Sequence, residues 1–215
     1  MFIREFVLKI KVAIVYAILK KLSNYSTISY ERVSYIKCKS LFEEKQNERE
    51  QFELLLQEKN TPYVNQLLYR INENQNILGK VLYHLVRKFW KPMDTLFFHT
   101  AQIGEGLLIN HGFSTIITAK SIGRNCLINQ QVTIGVKNPG GGVPRIGNNV
   151  YIGCGAKILG DIIIGDNCII GANAVVIKDV PAKVCVGGIP ARTIYELTEE
   201  QILKNYKLLR KTSMF

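Results

Sequence analysis

Residues 146–181 read IGNNVYIGCGAKILGDIIIGDNCIIGANAVVIKDVP, and cutting the stretch in sixes aligns an aliphatic residue at the head of each unit. The heads are Ile146-Gly147, Ile152-Gly153, Ile158-Leu159, Ile164-Gly165, Ile170-Gly171 and Val176-Ile177. Upstream the same period gives Ile103-Gly104, Ile109-Asn110, then after one inserted residue Ile122-Gly123, Ile128-Asn129 and Ile134-Gly135. A small or branched residue tends to follow four places on, as at Cys126, Val132, Val150, Ala156, Cys168 and Ala174. Six residues make a short strand and a tight turn, one side of a triangular coil, and three sides close it. Stacked coils bury a continuous apolar column and satisfy each other's backbone hydrogen bonds. Glycine or asparagine after the aliphatic residue suits the turn, because both tolerate backbone angles closed to most residues. The sequence therefore predicts a parallel β-helix of about five coils.

The flanks differ in kind. Up to Thr95 the chain is rich in Leu, Lys, Glu, Gln and Tyr and nearly free of glycine, and 43–58 and 63–89 carry apolar residues at helical spacing. Asn60-Thr61-Pro62 and Trp90-Lys91-Pro92 are breaks, and the second marks the change of composition. At the other end Thr198-Glu199-Glu200-Gln201 reads as a capping box ahead of Ile202, Tyr206 and Leu209. The expected organisation is an α-helical N-terminal region over 1–95, a β-helix domain over 96–192 and a C-terminal helix over 193–215.

The net charge of +11 is shared, +6 up to Thr95 and +5 thereafter. Such a spread field suits an anionic small ligand or an anionic surface, and equally plain solubility, and no nucleic-acid partner is expected. The five cysteines, Cys38, Cys126, Cys154, Cys168 and Cys185, form no CxxC pair and fall mostly at small-residue positions of the repeat. They read as reduced packing residues in a cytoplasmic protein, and no metal site is expected. In MFIREFVLKIKVAIVYAILKKL only Val12 to Leu19 runs free of charge, too short to span a bilayer. Residues 1–21 read as a buried contact helix or as a basic interfacial helix making peripheral contact with the inner face of a membrane.

Three histidines occur, His84, His99 and His111. A lone histidine in a solenoid is a packed residue or a base, and residue type leaves both open. His111 follows Ile109-Asn110 at a turn, where a side chain can face a groove. The stretch 135–145, GVKNPGGGVPR, leaves the coil and can fold over a ligand or be a plain insertion.

The residues IGEGLLINHG (103–112), QQVTIG (130–135), 146–181 and GGIPAR (187–192) resemble the hexapeptide-repeat acyltransferases, and within them the serine acetyltransferase branch. The resemblance implies a left-handed β-helix, assembly as a homotrimer or a dimer of trimers, acetyl-CoA as cosubstrate, and active sites in clefts between subunits. It puts His111 in the place of the catalytic base. An alcohol attacks a thioester at neutral pH only as its proton is removed, and imidazole titrates in the right range. The backbone N–H groups near Gly135 and Val136 are candidate donors to the oxyanion. The thioester arm of CoA is expected near Cys154 and Ala172, with Lys178 and Arg192 at the nucleotide phosphates.

The chain departs from the serine branch at Asn110, Val143 and Leu96, where relatives carry an aspartate, a histidine and an aspartate respectively. Asp94 or Glu105 are possible replacements for the last. These departures favour a hydroxyl on a sugar of a bacterial surface polysaccharide as acceptor, with Asn110 at the acceptor. Serine O-acetylation in cysteine biosynthesis, N-acetylation of an amino sugar and a non-catalytic solenoid scaffold are the alternatives.

Overall fold

A computed structural model of the chain describes residues 2–38, 47–58 and 61–204. They fall into two compact units that divide between Met93 and Asp94. The first holds five helices: α1 (Phe2–Leu19), α2 (Tyr25–Cys38), α3 (Glu48–Gln57), α4 (Pro62–Asn72) and α5 (Ile77–Phe89). The helical pattern over 63–89 is two helices, because Asn76 breaks it: its side chain accepts from the Gly79 amide at 2.8 Å and caps α5. Thr61 and Pro62 start α4 in the same way, as N-cap and first helical residue. In the core of this unit Arg70 donates to Glu31, both 2% exposed, and also reaches Glu73 at 3.2 Å.

The second unit is a left-handed β-helix. Its strands are β1 (Leu96–Phe98), β2 (Leu108–Ile109), β3 (Thr115–Ile117), β4 (Ser121–Ile122), β5 (Leu127–Ile128), β6 (Thr133–Gly135) and β7 (Arg145–Ile146). They continue as β8 (Tyr151–Ile152), β9 (Lys157–Leu159), β10 (Ile163–Ile164), β11 (Ile169–Ile170), β12 (Val175–Val176), β13 (Val184–Gly188) and β14 (Ala191–Glu196). Three parallel sheets form the walls: β1-β3-β6-β9-β12, then β4-β7-β10, then β2-β5-β8-β11-β13 with β14 antiparallel on β13. In the regular part the register repeats every 18 residues, as Tyr151 pairs Ile169 and Lys157 pairs Val175. Where the glycine-rich loop leaves, it takes 24, as Thr133 pairs Lys157, so the loop adds six residues without disturbing the stack.

Each wall contributes one inward column: Ile117, Ile134, Ile158 and Val176 from the first sheet, Ile122, Ile146 and Ile164 from the second, Ile109, Ile128, Ile152 and Ile170 from the third, all at most 3% exposed. Each such side chain is worth roughly 1.5–3 kcal/mol on burial. The glycines after the aliphatic residues serve a different end from the one their turn chemistry suggests. Gly104, Gly123, Gly147 and Gly165 lack the left-handed backbone. A Cβ on each would sit 2.5–2.9 Å from backbone of the next coil, so close stacking demands them. The left-handed angles fall two residues later, at Asn125, Asn149 and Asn167 (φ 54°, 55° and 59°), whose amides bond from coil to coil.

Beyond Arg192 the chain stays extended through Glu196, because β14 pairs back on β13, so residues 193–196 are strand where helix was expected. Helix begins at 199, after the capping box in which Thr198 and Gln201 exchange bonds of 2.9 and 3.2 Å. Tyr206, Leu209 and the Cys38 side chain lie outside the described residues. Cys126 and Cys168 are buried, and their thiols donate to the carbonyls of Gly147 (3.2 Å) and Pro181 (3.0 Å). Burial pushes the Cys126 thiol up to about 12, which makes it packing rather than chemistry.

Candidate functional site

The corner between the third and first sheets carries His111. In lower coils six residues separate the inward residues across this corner, from Ile128 to Ile134 and from Ile152 to Ile158; in the first coil eight separate Ile109 from Ile117. The ladder shows which two are extra. The amides of Asn173 and Gly155 donate to the carbonyls of Cys154 and Gln130 one coil up, at 2.8 and 3.0 Å, and that of Gln131 donates to Phe113 at 3.0 Å. Phe113 thus fills the place of Gln130, leaving His111 and Gly112 outside the ladder. Both have positive φ, 61° and 68°, and Gly112 donates back to the Asn110 carbonyl at 2.8 Å, closing a tight turn. The His111 side chain is exposed. A histidine in this conformation is uncommon, and the constraint holds it on a bulge directly above the corner column Gln130, Cys154, Ala172.

Asn110 belongs to a polar thread beneath that bulge. Its amide nitrogen donates to Asn129 Oδ1 at 3.1 Å, and Asn129, 7% exposed, donates to the Ile152 carbonyl at 2.9 Å. Leu96 is buried at the start of β1, paired with buried Thr115. Glu105 sits at the preceding corner, 3.8 Å from Arg124. The repeat places Asn129 after Ile128 and Gln130 after that, but nothing in its period marks either as lying under His111.

Gly135, Val136 and Lys178 stand on the next corner, between the first and second sheets, at the far border of the first sheet from His111. From Gln131, whose backbone is left-handed at φ 61°, the chain runs out along β6 to Gly135, a span of roughly 13 Å at the rise of a strand. Val136 is exposed where the glycine-rich loop begins; Gly142 lies against Asp161, whose carboxylate holds Arg145 at 3.0 Å. Below the last coil Lys178 and Arg192 both line a cavity of about 320 Å³, together with Asp179, Val186 and Thr193. One copy of the chain therefore brings His111, Asn110, Cys154 and Ala172 to one edge, Gly135, Val136 and Lys178 to another, and Arg192 beside Lys178. Among the described residues no three metal-ligating side chains converge.

Residues 144–178 match the family described as bacterial transferase hexapeptide (six repeats). Over 98 residues, 44% of this chain and 40% of the relative, it is 48% identical to the serine acetyltransferase of Synechococcus elongatus. Over 97 residues it is 44% identical to that of Helicobacter pylori, of which it covers 57%. The chain thus spans about half the length of the curated relatives it matches. Among solved structures it resembles the apoenzyme of soybean serine acetyltransferase, at 27% identity and a TM-score of 0.55 over 80% of this chain and 69% of that one. It also resembles the serine acetyltransferase of Brucella abortus, at 25% identity and a TM-score of 0.59 over 85% and 74%. The B. abortus enzyme in complex with coenzyme A has the same TM-score at 24% identity.

These relatives overturn the polysaccharide hydroxyl as acceptor: the curated proteins matched at 44–48% identity are serine acetyltransferases. The inference from Asn110 failed for a physical reason. Its amide nitrogen is engaged with Asn129 inside the corner, so an amide in place of an acid there reports on the ladder as much as on the acceptor.

Proposed function

We propose that the protein is an acetyl-CoA-dependent serine O-acetyltransferase, with His111 as general base. The observation that carries the reading is the 48% identity over 98 residues to a serine acetyltransferase. In this mechanism the His111 imidazole takes the proton of the serine hydroxyl as its oxygen bonds to the thioester carbonyl carbon. The tetrahedral intermediate, its oxyanion held by backbone N–H groups at Gly135 and Val136, collapses with cleavage of the carbon–sulfur bond. The imidazolium then returns its proton to the departing CoA sulfur, leaving O-acetylserine and CoA. A positioned base of this kind contributes ~10²–10⁴ in rate. Cys154 and Ala172 keep the column under His111 narrow enough for the thioester arm, Asn110 borders the acceptor, and Lys178 with Arg192 neutralise the nucleotide phosphates.

The reading requires a second copy. His111 and the Gly135 corner lie at opposite borders of one sheet, and a cleft between subunits lets one copy supply the base and its neighbour the loop. The outer face of that sheet carries Phe97 and Ile116, paired in register and each nearly half exposed, an apolar surface suited to such a contact in a homotrimer. Incubation with acetyl-CoA and L-serine tests the function, followed by thiol release and by mass detection of O-acetylserine. The product is expected only when both are present; thiol release indifferent to serine would refute the reading.

A further inference from the structure

Helix α1 turns an apolar face outward. Phe6, Val7, Ile10 and Ile14 are 65, 41, 45 and 45% exposed, and on a helical wheel they occupy one arc of about 100°. The opposite side, Val12, Val15 and Leu19, is fully buried in the helical unit. The outward face is thus additional to the one the fold uses. Among the described residues no helix is long and apolar enough to cross a membrane; an outward apolar arc on a helix that carries Arg4, Lys9 and Lys11 is the composition of one that lies on a surface.

The surroundings say which surface. Between Phe2 and Leu22 the sole acidic residue is Glu5, against Arg4, Lys9, Lys11, Lys20 and Lys21. Helix α5 packs beside α1, with the Lys11 ammonium 5.2 Å from the centre of the Phe89 ring. It contains no acid, and Lys80, Arg87 and Lys88 on it are exposed. On the other flank α3 sets Arg49 but also Glu50 and Glu53 about Lys9, so the cations that border the apolar strip are those of α1 and α5, and along that border it matches acyl chains bordered by phosphates. A second copy seated on this face would bring the cations of α1 and α5 toward the same set on its partner, which like-charge repulsion opposes.

We propose that α1 docks the protein on an anionic lipid bilayer, with Phe6, Val7, Ile10 and Ile14 at the acyl boundary and the cations of α1 and α5 at the headgroups. The dock is independent of the chemistry assigned to His111. The test is co-sedimentation of the full chain with vesicles of phosphatidylcholine alone and with roughly one-quarter phosphatidylglycerol, at low and high salt. The wild type is expected to bind the anionic vesicles, to lose binding as salt rises, and to bind neutral vesicles far less. Ile10→Glu with Ile14→Glu is expected to lower binding at least about tenfold while keeping the wild-type melting profile and oligomeric mass. Ile10→Ser, milder at the same exposed position, serves if the double variant unfolds. Equal binding to neutral and anionic vesicles, undiminished binding by a folded variant, or a fall in oligomeric mass on substitution would each overturn the proposal, the last by showing that a second copy covers the face.

Discussion

The Gln131 amide donates to the Phe113 carbonyl, and this one bond of 3.0 Å sets His111 and Gly112 outside the β-helix ladder. A residue inside the ladder has its backbone and direction fixed by the coils above and below. His111 is instead held by the turn that Gly112 closes on Asn110, with left-handed backbone at both extra residues. The His111 side chain thus stands on a rigid scaffold without being part of its repeat, which is the placement the proposed base needs.

The stacking glycines give the first prediction. A Cβ at Gly147 would lie 2.9 Å from the Gly165 carbonyl carbon and from the Asp166 amide nitrogen, both backbone. Gly147→Ala should cost about 1–3 kcal/mol through overpacking and lower the midpoint of thermal unfolding. Gly135→Ala, with nothing within 4 Å of its Cβ, should leave that midpoint near wild type.

In the helical unit, Glu31 and Arg70 are each 2% exposed and bonded to each other. Glu31→Ala leaves the guanidinium buried with only part of its charge answered, and should destabilise the unit by about 3–5 kcal/mol. Urea unfolding followed by tryptophan and tyrosine emission measures it, since Trp90 and most of the tyrosines belong to this unit.

Acid should weaken the same unit through Glu48. The Tyr16 hydroxyl donates to its carboxylate at 2.7 Å, and with Tyr25 and Arg32 this lowers its pKa from 4.5 to about 2. A carboxylate depressed on folding contributes stability that is complete above its unfolded pKa and lost as pH falls through the folded one. The urea midpoint of the wild type should therefore exceed that of Glu48→Gln at pH 6, and the gap should close between about pH 4.5 and 2. Partial exposure of Glu48 makes the gap shrink in high salt.

Lys178 and Arg192 share the cavity below the last coil and are both exposed. Exposed charges meeting phosphates are worth up to about 1 kcal/mol apiece, so Lys178→Ala and Arg192→Ala should each raise the KM for acetyl-CoA up to about fivefold. The kcat should hold, because the proposal sets both groups at the nucleotide phosphates and not at the reacting carbonyl. Steady-state kinetics against acetyl-CoA separate the two constants.

The architecture was legible in the sequence because a period of six is a constraint on every coil at once. Ile103 to Val176 fix the walls, and the six-residue excess at 136–144 stands out as a loop. What the period could not give was a short break such as the one at His111. It skipped from Ile109 to Ile122, so Ile117 and the two extra residues at His111 escaped the count. It also assigned Gly147 to a turn, when the nearby coil backbone is what requires it. Helix α5 was hidden in a continuous apolar pattern because the cap at Asn76 is a polar side-chain bond, to which hydrophobic spacing is blind. At the candidate site the acceptor was not legible: Asn110 looked like a specificity residue because its bond to Asn129 joins positions 19 residues apart.

The role of His111 is tested most directly by the kcat of the wild type and His111→Ala with acetyl-CoA and L-serine, each protein checked for an unchanged thermal midpoint. If His111 is the base held on its bulge, kcat falls by ~10²–10⁴ while the fold is untouched. A folded variant that retains serine-dependent turnover within about twofold of the wild type would contradict it.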